Sequence, residues 1–153
     1  MSKPIRLGRR ELLLTGAAGL TVAALLGPGR KAWATPPEVD AALKKLTNNA
    51  QVKTGKVTLE LPEVADDGRT VPLKVIVDSP MTDKDHVKAI HVFADSNPRP
   101  VVMSVKLGPR AGKAEFSIRI RLAQTQNVHA VAVMSDGQVY GGKKEVKVTA
   151  GGC

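Results

Sequence analysis

Residues 55–77, GKVTLELPEVADDGRTVPLKVIV, decide the fold. Val57, Leu59 and Leu61 alternate with polar neighbours, and Val71, Leu73, Val75 and Val77 repeat the alternation after the turn ADDGR. Successive side chains of a strand point to opposite faces, so a period of two predicts two strands, each with one face in a core. Downstream, HVKAIHVFA (86–94), PVVMSVKL (100–107), AEFSIRIRL (114–122) and VHAVAVM (128–134) predict four more strands, separated by DSNP, GPRAG and QTQN. SDG then turns the chain into a short strand around Val139 and Tyr140, and Val146 and Val148 mark a last one. No helical period interrupts the series, which predicts an all-β, antiparallel, immunoglobulin-like sandwich over residues 55–150. The lone cysteine rules out a disulfide across the sheets, and the only Trp, Trp33, lies upstream of the domain.

Upstream of the strands the period is 3.6. In TPPEVDAALKKLTNN, Thr35 and Glu38 have capping-box spacing, and Val39, Ala42, Leu43 and Leu46 fall on one helix face. An amphipathic helix within residues 35–50, ending near Asn48 and Asn49, is expected to cover a sheet, the alternative being a partner. Residues 1–34 read as an export signal that is removed. Lys3, Arg6, Arg9 and Arg10 precede an apolar run from Leu12 to Leu26, and Ala32-Trp33-Ala34 fits a small-x-small cleavage site. That run has 15 residues, short of the roughly 20 that span a bilayer. GRRELLL resembles the twin-arginine export motif, with Arg9 and Arg10 as its pair, although Gly8 and Leu12 stand where Ser or Thr and Phe are usual.

The net charge of +9 is concentrated in that leader, which holds six basic residues and one acid; without them the chain carries +4. The remaining basic residues are scattered, and only Phe93, Phe116 and Tyr140 are aromatic, so neither the basic patch nor the stacking platform of a nucleic-acid binder is present. His86, His91 and His129 have no neighbouring His, Cys or carboxylate at ligand spacing, so they read as strand residues with satisfied rings and no metal site is expected. Asp66-Asp67 and Asp83-Asp85 read as turn caps. The chain has no nucleophile elbow, phosphate loop or H-E-x-x-H motif, and neither an active site nor a cofactor is expected.

One chemically reactive group stands apart. The chain runs VKVTAGGC, with Cys153 after Gly151 and Gly152. Ala150 is the last residue a sheet is expected to hold, and the two glycines, which lose most entropy on ordering, favour a mobile exit, a flexible arm with the thiol free in solvent beyond it. Three extended residues reach about 10 Å. Because a thiolate is a strong nucleophile, Cys153 reads either as a covalent attachment point or as the donor of an intermolecular disulfide. A ubiquitin-type carrier needs the glycine carboxylate, and lipid anchors place their cysteine elsewhere.

With these elements in place, the sequence resembles the SoxY family, the sulfur-carrier subunits of bacterial thiosulfate oxidation. The likeness runs through VPLKVIVDSPMTDKDHVKAIHVFADSNPRP (71–100), GPRAGKAEFSIRIRLAQTQNVHAVAVMSDG (108–137) and the terminal VKVTAGGC. The resemblance implies an immunoglobulin-like fold, twin-arginine export to the periplasm, and a heterodimer with the SoxZ subunit. It also implies that Cys153 is the sulfur attachment point on a swinging arm of residues 151–153. The carrier would visit the cytochrome SoxAX, which couples thiosulfate oxidatively to the thiol as a cysteine S-thiosulfonate, then the hydrolase SoxB and the sulfane dehydrogenase SoxCD. Family tails read Gly-Gly-Cys-Gly-Gly; if Cys153 itself carries the terminal carboxylate, restoring two glycines is expected to change the rate of sulfur loading.

Overall fold

A computed structural model describes residues 36–152; the leader with Arg9 and Arg10, the expected cap Thr35, and Cys153 lie outside the described residues. In chain order the elements are helix α1 (Pro36–Leu46), then β1 (Val52–Thr54), β2 (Val57–Glu60), β3 (Val64–Asp67), β4 (Val71–Val77), β5 (Val87–Ala94), β6 (Val101–Lys106), β7 (Ala114–Ile120), β8 (Gln126–Met134) and β9 (Val139–Ala150). They form an immunoglobulin-like sandwich. One sheet runs β1-β9-β8-β5-β6, with β3 paired to the far half of β9, and faces a second sheet of order β2-β4-β7.

The alternation at the heart of the sequence positions the core. Val71, Leu73, Val75 and Val77 of β4 point inward and are buried, while Pro72, Lys74 and Ile76 point away. Pro72 is tolerated in this central strand because β2 pairs only with residues 74–77, so the missing N–H leaves no β2 carbonyl unpaired. Across the sandwich Ile90, Val92 and Ala94 of β5 and Val128, Ala130, Ala132 and Met134 of β8 complete the core.

The outer face of the larger sheet is also apolar at its centre. Phe93, Val131 and Val139 form a second cluster with Val39 of α1, flanked by Ala42 and Leu43. The helix therefore covers a sheet, as its stripe predicts. Leu46, expected on the same face, is 36% exposed because the helix ends there, and Asn48 and Asn49 follow with positive φ of 53° and 60°. Short polar side chains tolerate that left-handed region best after Gly, which explains the double Asn.

Three expectations need correction. The segment ADDGR is not all turn, since Ala65 to Asp67 belong to β3. The sandwich is not wholly antiparallel, because β1 and β3 both pair with β9 in parallel. The two short strands expected near Val139 and Val146 are one strand of 12 residues. Gly141 and Gly142 keep it continuous at a crowded point: a Cβ there would crowd Val52 Cγ1 (2.7 Å) and the Val57 carbonyl oxygen (2.9 Å) respectively. No helix among the described residues is long and apolar enough to cross a membrane.

Candidate functional site

The tail is positioned by what β9 does after it leaves β8. Their pairing ends at Gln126 opposite Val146. Beyond that point β9 is held on one side by β3, with Val64, Ala65 and Asp67 opposite Lys147, Val148 and Ala150. On its other side the segment after β7 takes over. Thr125 Oγ1 accepts the Val148 N–H at 3.0 Å.

The glycines do not leave this channel at once. Gly68 N–H donates to the Ala150 carbonyl at 2.7 Å, Leu122 N–H donates to the Gly68 carbonyl at 2.7 Å, and Gly152 N–H donates to the Leu122 carbonyl at 3.0 Å. Gly151 is exposed and Gly152 half-buried. The mobile exit expected from the sequence needs correction: the chain is held between backbone on both sides as far as residue 152, because glycines without side chains fit where the backbones of residues 68–69 and 122–123 close in. Cys153 follows it and lies outside the described residues.

The loop that receives Gly152 is itself pinned by two buried amides. Asn97 Nδ2 donates to the Arg121 carbonyl at 2.8 Å, and its Oδ1 accepts from Ala123 N–H at 3.0 Å and from Gln126 Nε2 at 2.9 Å. Gln126 Oε1 in turn accepts the Ser96 N–H at 2.7 Å. Asn97 and Gln126 are 8% and 5% exposed, so each hydrogen bond is made where water cannot replace it. In the sequence DSNP and QTQN are separators between strands, and nothing in them marks this clamp. A buried Asn or Gln has no distinguishing sequence signal.

Beside the tail, Arg69 and Asp67 form an exposed ion pair at 3.1 Å. The Arg69 guanidinium and backbone N–H bonds hold the Asp67 carboxyl below its usual range, and Asp67 raises Arg69. Both side chains are well solvated, so the pair contributes little to stability.

The three histidines have satisfied rings, as expected. His86 Nδ1 lies 3.2 Å from the Thr82 carbonyl, His91 Nδ1 lies 2.8 Å from Ser104 Oγ, and His129 Nε2 lies 2.8 Å from Asp95 Oδ1. The last contact joins residues 34 apart, which local spacing does not reveal. Among the described residues no group of three or more His, Cys, Asp or Glu could hold a metal.

Burial pushes the His91 imidazole below its ordinary value of 6.5 because the charged ring is poorly solvated. As pH falls through that range the unfolded chain takes up a proton before the folded chain does, so stability is lost on acidification. Thermal unfolding followed at pH 7 and at pH 5 is expected to show a larger drop in Tm for the wild type than for His91→Gln. Equal drops would assign the acid sensitivity elsewhere.

The family model described as sulfur oxidation protein SoxY matches residues 43–153. Among solved structures, the sulfur carrier protein SoxY from Chlorobium limicola f thiosulfatophilum is similar at 29% identity and a TM-score of 0.64, over 75% of this chain and 99% of that one. A superoxide reductase (neelaredoxin) from Ignicoccus hospitalis is similar at 18% identity and a TM-score of 0.56, covering 75% and 94%. A superoxide reductase from Nanoarchaeum equitans is similar at 10% identity and a TM-score of 0.52, covering 63% and 100%. The two reductases share the fold alone. No curated protein matches the sequence.

Proposed function

This chain belongs to the SoxY family of sulfur oxidation proteins, and from that membership we propose that it is a covalent carrier of thiosulfate-derived sulfur, with Cys153 as the attachment residue. The observation that carries the reading is the placement of the sole cysteine directly after Gly151-Gly152, beyond the last strand residue, Ala150. Support also comes from the similarity to a solved sulfur carrier protein over nearly all of that protein's length.

The Cys153 thiolate and thiosulfate join through a new S–S bond, releasing two electrons to a c-type cytochrome (SoxAX) and leaving the cysteine S-thiosulfonate. Water then attacks the outer sulfonate sulfur in the hydrolase SoxB, releasing sulfate and two protons and leaving a persulfide. A sulfane dehydrogenase, SoxCD, removes six electrons from the outer sulfur as three water oxygens are added. A second hydrolysis frees sulfate and restores the thiolate. The carrier catalyses none of these steps; it supplies a nucleophile and a tether, which raises the local concentration of each intermediate without requiring tight binding.

The proposed working form is a periplasmic heterodimer with SoxZ, exported through the Arg9-Arg10 leader. Support for a partner seat comes from the open side of the sandwich, where half-buried Val102 and Met103 of the edge strand β6 and Ile118 of the edge strand β7 line a groove rimmed by Arg119 and Arg121. The test of the carrier reading is a peptide measurement. Trypsin cuts after Lys147, so the peptide that begins at Val148 and carries Cys153, from protein incubated with thiosulfate and its host's periplasmic extract, is expected to gain the mass of a thiosulfonate or persulfide. A peptide found only free or in disulfide dimers would favour an interaction subunit whose cysteine merely crosslinks.

A further inference from the structure

The proposed function needs an arm that reaches, yet the described tail is docked. Three backbone hydrogen bonds stitch residues 68, 122, 150 and 152 together, so the strand ladder continues past Ala150 by one more rung. That rung exists only because three residues lack side chains. A Cβ on Gly68 would run into the Leu122 carbonyl oxygen and crowd both Gly152 N and Val148 Cγ1 at 2.9 Å. A Cβ on Gly152 would run into the Gly68 carbonyl and Arg69 N, and one on Gly151 into the Ala123 carbonyl oxygen. Gly68 is not at a positive φ, unlike Gly55, Gly112 and Gly137, so space rather than backbone freedom is what the position requires.

We propose that Gly68 is the positioning residue of a docked resting state of the carrier arm, in which Gly151-Gly152 lie between the 67–69 turn and the 122–123 loop, and from which the arm must be drawn to present its cysteine. The two arm glycines then have a second use beyond slimness: they are one half of a glycine-to-glycine seat. The opposite wall is held by the Asn97–Gln126 clamp, which fixes Arg121 and Ala123 on either side of the Leu122 carbonyl that receives Gly152. Docked, the chain is anchored as far as Gly152; released, residues 151 and 152 add about 7 Å of reach at roughly 3.5 Å per residue. A single backbone hydrogen bond with its close contacts is weak enough to open readily, which suits an arm that cycles between enzymes.

The inference rests on the tail being the working end, as proposed above, but its test needs no sulfur and so stands or falls separately. Amide–water exchange of Gly152 is measured by NMR on the mature chain, with the peptide Val-Thr-Ala-Gly-Gly-Cys as the free reference. We expect Gly152 to exchange about tenfold more slowly in the protein than in the peptide. Gly68→Ala is expected to raise it to the peptide rate while the amides of β8 keep their protection. Asn97→Ala, which frees the receiving loop without touching the glycines, is expected to raise it in part. Gly152 exchanging at the peptide rate in the wild type would overturn the docked state. Full protection persisting in Gly68→Ala would overturn the role of Gly68, and if that variant fails to fold, the wild-type and Asn97→Ala measurements decide.

Discussion

Replacing Cys153 by Ser is expected to abolish thiosulfate-dependent sulfate formation by the assembled system while leaving the melting temperature of the chain unchanged. The two halves of that result have separate causes. A serine hydroxyl has no accessible anionic form at neutral pH and no oxidisable sulfur, so the S–S bond on which every later step depends cannot form. The fold, by contrast, is held by residues that precede the cysteine: the core lies between the sheets, and the backbone ladder of β9 runs on to Gly152. Loss of activity together with loss of stability would mean that the cysteine serves the fold. Retained activity would mean that another group carries the sulfur, and the chain offers no other thiol.

The second large effect concerns the face opposite the core. Phe93 is fully buried, yet it points away from the sandwich and joins Val39, Val131 and Val139 under α1. Truncating it to Ala removes the largest side chain of that cluster and leaves a cavity that the helix and sheet close only in part, at a cost of about 3–5 kcal/mol. For a domain of this size that corresponds to a fall in Tm of roughly 10–20 °C. The loss is expected to begin at the helix, so helical circular dichroism should melt before the strand signal in Phe93→Ala. A change of less than about 1 kcal/mol by urea titration would show that the helix is an ornament rather than part of the cooperative unit.

The parts of the fold legible in the sequence are those where one face of a strand is buried and the other wet. β4 is the clearest case: its four inward residues are all aliphatic, so its period, register and face are readable from residues 71–77 alone. β5 is legible as a strand but not as a two-sided one, since His91 and Phe93 alternate with Ile90 and Val92 and both sets are buried. β3 is illegible for the opposite reason. Its inward residue is only Ala65, Val64 is 54% exposed, and two Asp complete it, so it exists because the far half of β9 offers it a free edge. The polar run GGKKE hides the continuity of β9 in the same way, because its pairing with β8, rather than its own alternation, holds it extended.

The site divides similarly. The tail is read directly, since a sole cysteine beyond two glycines is a local pattern. Its seat is not, because Gly68 and Gly152 stand 84 residues apart in number and meet through backbone alone, and glycine–glycine contact leaves no side-chain signature. Nor does the Asn97–Gln126 clamp announce itself, being two ordinary turn residues until the fold buries them. Function here depends on a local chemical group held by non-local geometry, and only the first is written in consecutive letters.

The most direct test of the carrier account is the intact mass of the mature chain isolated, without reductant, from cells oxidising thiosulfate. The account predicts a ladder of species above the unmodified mass, separated by one sulfur atom or by sulfur plus sulfonate, that collapses to the unmodified mass on reduction and is absent from Cys153→Ser. A single unmodified mass, or a disulfide dimer with no sulfur adduct in cells that are actively consuming thiosulfate, would contradict it.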